Sequence, residues 1–209
     1  MTDRALFISL EGIEGAGKST HMPFIAGLLA RAGREVVVTR EPGGTPLGEQ
    51  IRRQLLLPGT AAIGAETELL LMFAARRQHL DDIIRPALAA GKTVLCDRFT
   101  DSSFAYQGGG RGIAADRIAR LADWVHPDLK PHLTLLLDVP VALGLSRTNR
   151  RNRSDRFESE TADFFEKVRL AYLDIAKSEP DRVKVIDASA AMNEVQAAIA
   201  NLLKEQGVC

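Results

Sequence analysis

One stretch constrains this chain more than any other: Gly12-Ile13-Glu14-Gly15-Ala16-Gly17-Lys18-Ser19. It satisfies the pattern G-x-x-x-x-G-K-[ST] in full. The glycines let backbone N–H groups turn inward around phosphate oxygens, the lysine reaches the β- and γ-phosphates, and the hydroxyl offers a ligand to Mg²⁺. Such a loop works between a buried strand and a helix whose positive end faces the same anion. Both flanks are legible. Ala5–Leu10 is a short apolar run suited to a strand buried on both faces, and Ser19–Ala32 reads as a helix stopped by Gly33.

Strand-like and helix-like stretches alternate from there on. Glu35–Thr39, Thr93–Cys96, Leu133–Leu137 and Val183–Ile186 predict four further strands. Helical patterns cover Leu47–Leu57, Ala65–Ala90, Ala114–Val125 and the segments 140–149, 160–178 and 190–205, while Gly108-Gly109-Gly110 reads as a break. Five strands separated by helices imply an α/β fold, a parallel sheet with helices on both faces. With 209 residues and no long linker, a single domain over 1–209 is expected. Ligands of such sheets bind beyond the carboxyl ends of the strands, which makes 11–19, 40–46, 97–110 and 138–156 the candidate site loops.

Charge narrows the partners. The 27 Lys and Arg balance the 27 Asp and Glu, so a polybasic nucleic-acid or membrane binder is not expected, and anions must be met by local arginine clusters. The two cysteines, Cys96 and Cys209, have no neighbouring Cys or His, which excludes zinc and redox motifs. No signal-peptide pattern or membrane-length apolar run is present, so the expected location is the cytoplasm.

Two further features carry chemistry. Asp97-Arg98 follows the third strand, where an Asp beside a phosphate loop can hold Mg²⁺ through water; read in isolation, it is equally a solvated ion pair. Arg147, Arg150, Arg151, Arg153 and Arg156 put five arginines into ten residues of a neutral chain. Arginine forks donate two parallel hydrogen bonds to phosphate, so the cluster fits a lid over polyphosphate at about 144–158 as well as a solvated helix face.

The blocks at 7–19, Thr39–Thr45, Leu71–Arg76, Asp97–Phe99, Ala105–Gly112 and Leu137–Pro140, in this order along nearly the whole chain, resemble the bacterial thymidylate kinases. That resemblance implies a P-loop kinase fold, a homodimer, and transfer of the γ-phosphate of ATP with Mg²⁺ to dTMP, giving dTDP. It assigns Gly12, Glu14, Gly15, Ala16, Gly17, Lys18, Ser19 and Thr20 to ATP, and Ser19 and Asp97 to the metal. Glu14 lies toward the dTMP sugar, Phe73 stacks on thymine, and Arg76 donates to its O4. Ser102 and Ser103 face the base, Tyr106 excludes a ribose 2′-hydroxyl, and Gln107 reaches the same substrate. Arg98 binds the dTMP phosphate with Arg52 or its neighbour Arg53. Lys18, Arg98, Glu14 and the lid residues Arg151 and Arg153 are the catalytic set. Without the resemblance, Phe73 reads as an ordinary core aromatic.

The phosphate loop carries Gly15 where some members of the family have arginine, which moves the missing charge to the lid. Phe99 stands where Tyr or His is frequent, which removes any polar role there. Two rivals remain on residues alone: a P-loop kinase for another small acceptor, and a nucleotide-gated switch, against which no Asn-Lys-x-Asp guanine motif is found.

Overall fold

A computed structural model describes residues 5–57, 63–149, 156–157 and 160–209. Five parallel strands form one sheet in the order β2-β3-β1-β4-β5. They are β1 Phe7–Glu11, β2 Val36–Arg40, β3 Thr93–Asp97, β4 Leu133–Asp138 and β5 Val183–Asp187. The central strand reads FISLE and is buried throughout, with Ile8 paired to Leu95 on one side and Leu133 on the other. Alternate residues serve opposite cores. Ile8, Leu10, Leu135 and Leu137 pack with residues such as Ile25, Val168 and Ile199. Phe7, Val94 and Cys96 pack with Leu69, Phe73, Leu80 and Ile118. A parallel sheet covered on both faces needs this near-continuous apolarity.

The covering helices are α1 Lys18–Arg31, α2 Pro46–Leu56, α3 Ala65–His79, α4 Arg85–Ala89, α5 Thr100–Ser103, α6 Ala115–Val125, α7 Val141–Asn149, α8 Ala162–Ser178 and α9 Met192–Glu205. Their starts follow local chemistry. Thr45 caps α2, accepting from the Gly48 amide at 3.0 Å with Pro46 in the first turn, and Thr161 caps α8 through the Phe164 amide.

Two expectations need correction. The single helix foreseen over 65–90 widens into a π-helical turn, Leu80–Ile84, before α4 resumes. Pro86 sits in the first turn of α4; it has no N–H to give and its ring crowds the preceding turn, which the wider coil accommodates. The foreseen break at 108–110 is instead the end of a second π-helical stretch, Phe104–Gly110, continuous with α5. These glycines are there for approach. A Cβ on Gly109 would lie 2.7 Å from that of Ala171, and one on Gly110 would strike the Phe164 ring. Residues 100–110 are therefore a helix pressed onto α8, and only Arg98 and Phe99 form the turn that leads into it from β3.

Every strand ends on a charged residue at its carboxyl edge: Glu11, Arg40, Asp97, Asp138 and Asp187. That edge gathers the site.

Candidate active site

The phosphate loop joins β1 to α1. Gly12, Gly15 and Gly17 all have positive φ, and at two of them no side chain would fit. A Cβ on Gly12 would run into the Leu137 carbonyl, and one on Gly15 into the carbonyl of Gly144 in α7. The loop is thus clamped between β4 and the helix that leads to the arginine-rich segment. Lys18 Nζ donates to the carbonyls of Gly12 and Ile13, at 2.9 and 3.1 Å. Burial and the Arg98 guanidinium push its pKa down to about 8.

A cavity of about 200 Å³ opens beside this loop. One wall is built on Arg98, whose φ of 71° turns the chain sharply after β3. Its Nη2 donates to Glu14 Oε1 at 2.9 Å and to the Tyr106 hydroxyl at 3.0 Å, while Tyr106 donates to Glu14 Oε2. Its Nη1 donates to the Gly12 carbonyl, Tyr172 and Ser102. Burial pushes the phenols of Tyr106 and Tyr172 well up, so both remain O–H donors.

The floor is built on Arg76, only 2% exposed. Its Nε donates to Glu41 Oε2 at 2.7 Å, and its Nη2 to Ser103 Oγ and the Phe99 carbonyl. Burial acts to raise the Glu41 carboxyl, but Arg76 and His79 together hold it below its ordinary value. The guanidinium lies over the rings of Phe73 and Phe99, 4.6 and 5.2 Å from their centroids. Its Nη1 is buried and has no partner among the described residues, although it belongs to a cavity wall. A buried donor left unmade is costly, and a ligand acceptor in the cavity would satisfy it.

Asp97 Oδ1 is likewise buried without a hydrogen-bond partner among the described residues. It shares the cavity edge with Ser19. Among the described residues no cluster of three or more His, Cys, Asp or Glu could hold a metal. One carboxylate and one hydroxyl beside a phosphate site is the sparse donor set that suits Mg²⁺, which keeps most of its water and phosphate ligands.

The structure brings most of the foreseen residues to this cavity: Glu14, Gly15, Lys18, Ser19, Arg52, Arg76, Asp97, Arg98, Ser102, Ser103, Tyr106 and Gln107 line it. Arg52 faces it, bonded to the Pro42 carbonyl at 2.9 Å, whereas Arg53 is exposed, which separates the two. The Glu41–Pro42 bond beneath is cis. Phe73 is the departure. It sits in the core, 3% exposed, stacked on His126 and away from the cavity lining. Neighbouring residues on a helix point about 100° apart, so the cavity receives Met72 in its place.

Gly15, Ala16, Gly17 and Thr20 border a second cavity, of about 310 Å³, together with Arg147, Ala188 and Met192. Arg147 donates to the Ala188 carbonyl at 2.9 Å. Arg156 is tied to Glu68 and to the Leu55 carbonyl. Arg150, Arg151 and Arg153 lie outside the described residues.

Sequence reasoning missed Glu11, Tyr172, Glu68 and Met72. Glu11 looked like a strand boundary, yet a carboxylate directly after a buried strand and before a phosphate loop is itself a signal. Tyr172 continues the buried stripe of Phe165 and Val168 on α8, and a tyrosine in such a stripe brings a hydroxyl that must find a partner.

The chain matches a family profile described as thymidylate kinase over residues 10–199. It is 56% identical over 200 residues to the thymidylate kinase of Pseudomonas syringae pv. tomato, covering 96% of this chain and 95% of that one. It is 57% identical over 198 residues to that of Pseudomonas entomophila, covering 95% and 94%. The crystal structure of thymidylate kinase from Ehrlichia chaffeensis superposes with a TM-score of 0.78 at 35% identity, covering 96% of this chain and 99% of that one.

Proposed function

The chain belongs to the thymidylate kinase family, and we infer from that membership and from the cavity beside its phosphate loop that it transfers the γ-phosphate of ATP to dTMP, giving dTDP and ADP. The observation that carries the acceptor reading is Arg76 Nη1, a buried donor with no partner among the described residues, in the wall of a cavity that Arg52 and Arg98 also line.

In this reading thymine lies on Met72 and over Arg76, whose free N–H meets the O4 carbonyl, with Ser103 and Gln107 at the base edge. Tyr106 and Glu14 meet the sugar. Arg98 and Arg52 hold the dTMP phosphate, their forks matched to its oxygens. ATP spans the phosphate loop, its amides and Lys18 on the β- and γ-phosphates, and its adenine enters the second cavity near Arg147 and Ala188. Ser19 and Asp97 are the residues that would hold Mg²⁺, which when bound neutralises charge on the donor phosphates.

The acceptor oxygen of dTMP is ionised at neutral pH, so no general base is needed. Catalysis then consists of alignment and charge neutralisation. Arg98 and Lys18 bring the two phosphates into line, and Arg151 and Arg153 of the lid supply charge as the phosphoryl group moves. Gly144 packed against Gly15 keeps α7, from which the lid departs, in register with the donor phosphates. Closure over both nucleotides excludes water and suppresses hydrolysis of ATP. The protein works as one domain in the cytoplasm; no helix among the described residues is long and apolar enough to cross a membrane. It works as a homodimer, and the exposed Leu70 and Trp124 beside the groove between α3 and α6 offer a face to a second copy.

ADP release measured with dTMP, dUMP, dCMP and ribothymidine monophosphate tests this. Turnover should be fastest with dTMP and negligible without acceptor. ATP hydrolysis at the same rate with or without dTMP would instead make the chain a nucleotide-driven switch.

A further inference from the structure

Glu11 is fully buried at the end of the central strand and touches neither cavity, yet it sits behind Arg98. Its Oε1 accepts from the Phe99 amide at 2.7 Å. Its Oε2 accepts from Ser102 Oγ at 2.6 Å and from the Tyr172 hydroxyl at 2.8 Å. Those same two oxygens accept from Arg98 Nη1, at 3.3 and 3.1 Å, and stand 2.7 Å from each other.

Each hydroxyl has one proton to place. With Glu11 ionised, both protons go to Oε2, and each oxygen turns its lone pairs to the guanidinium. With Glu11 protonated, a third proton completes the triangle of Glu11 Oε2, Ser102 and Tyr172, and the two hydroxyls still face Arg98 Nη1 but without the carboxylate charge that polarises them toward it. The Phe99 amide adds a backbone component. The Arg98 amide bonds the Leu10 carbonyl, and the next amide is taken by Glu11 as the chain bends at φ 71°. Glu14 thus grips one end of the guanidinium directly, and Glu11 grips the other through two hydroxyls.

We propose that Glu11 is a positioning residue for phosphoryl transfer, aiming Arg98 at the acceptor phosphate through Ser102, Tyr172 and the Phe99 amide. The proposal rests on the reading of Arg98 as the ligand of the dTMP phosphate. The groups around the carboxyl explain when it works. Burial and Asp101, itself paired with Arg182, raise the Glu11 pKa to about 7, while Ser102, Arg98 and Tyr172 oppose them. Lys18 and the buried Cys96 thiol also lie within its field.

The test is kcat/KM for dTMP in wild type and Glu11→Gln from pH 6 to pH 8. The amide of Gln mimics the protonated acid, and taking the ratio cancels the ionisation of dTMP itself. The wild-type advantage should be about twofold at pH 6 and grow to about tenfold by pH 8, the effect of losing a hydrogen bond to a charged group. Tyr172→Phe, which keeps the packing and removes only the hydroxyl, should lower kcat/KM for dTMP about threefold with KM for ATP unchanged. Added to Glu11→Gln, it should cost little more. A flat ratio across the range, or effects of Glu11→Gln and Tyr172→Phe that multiply, overturns the proposal. Unimpaired dTMP phosphorylation by Arg98→Ala would overturn the underlying reading of Arg98 instead.

Discussion

The donor and acceptor halves of the site are built on opposite plans. The donor half is eight consecutive residues whose backbone does the binding, shaped by glycines that admit no side chain and clamped against Leu137 and Gly144. The acceptor half is a mesh of side chains drawn from β1, α3, the end of β3, the π-helical stretch and α8. Glu11 and Tyr172 touch across 161 residues of sequence, and Arg76 and Glu41 across 35. A backbone cradle tolerates changes around it as long as the turn survives. A mesh of buried charges does not, because removing one partner strands another in a dry environment.

Variants on each side should separate the two plans. Lys18→Ala removes charge from the donor half without taking packing from a core. Its kcat should fall about 10³-fold, as for loss of a preorganised charge at a transferring phosphoryl group, with the melting temperature little changed. Normal turnover in the folded variant would break the comparison at its strongest point. In the lid, Arg151→Ala should lower kcat by about 10²-fold with little change in KM for dTMP, since the charge it meets develops only during transfer. Arg156→Ala should act chiefly on stability, because Arg156 is tied to the buried Glu68. The reverse pattern would exchange the two roles.

Tyr106→Ala should weaken dTMP use, since it removes a partner of Arg98 and Glu14, but should relax discrimination against ribothymidine monophosphate by more, about tenfold. If the ratio of kcat/KM for the two acceptors does not move, the ring does not guard the 2′ position. A further effect is thermodynamic. The Glu11 pKa is raised from 4.5 to about 7, so its contribution to stability is full below 4.5 and lost as pH rises through 7. Glu11→Gln has no such titration. Denaturant unfolding should show the stability of Glu11→Gln relative to wild type rising between pH 5 and pH 8 by at most about 3 kcal/mol. A pH-independent difference would mean that the carboxyl ionises normally.

The same contrast explains what could be read in advance. The sheet, its strands to within two residues, and the phosphate loop were legible because each depends on local pattern. The π-helical turns were not. One hinges on how the chain relieves Pro86, the other on whether glycines at 108–110 loosen a helix or let it approach α8, and a one-dimensional pattern decides neither. Arg76 and Arg98 were legible only through resemblance, since their partners are distant in sequence. Phe73 shows the limit of that route. Which of two adjacent residues on α3 faces the cavity depends on the rotation of the helix against the sheet, and there it is Met72 that faces in.

Equilibrium binding of dTMP and of ATP to Arg76→Met tests the central claim most directly. Glu41→Gln in the same chain relieves the carboxylate that would otherwise be left unpaired. The account predicts that dTMP affinity falls about a hundredfold, the loss of a charge-assisted contact inside a dry pocket, while ATP affinity stays at the wild-type value. Unchanged dTMP affinity, or a loss shared equally by ATP, would contradict it.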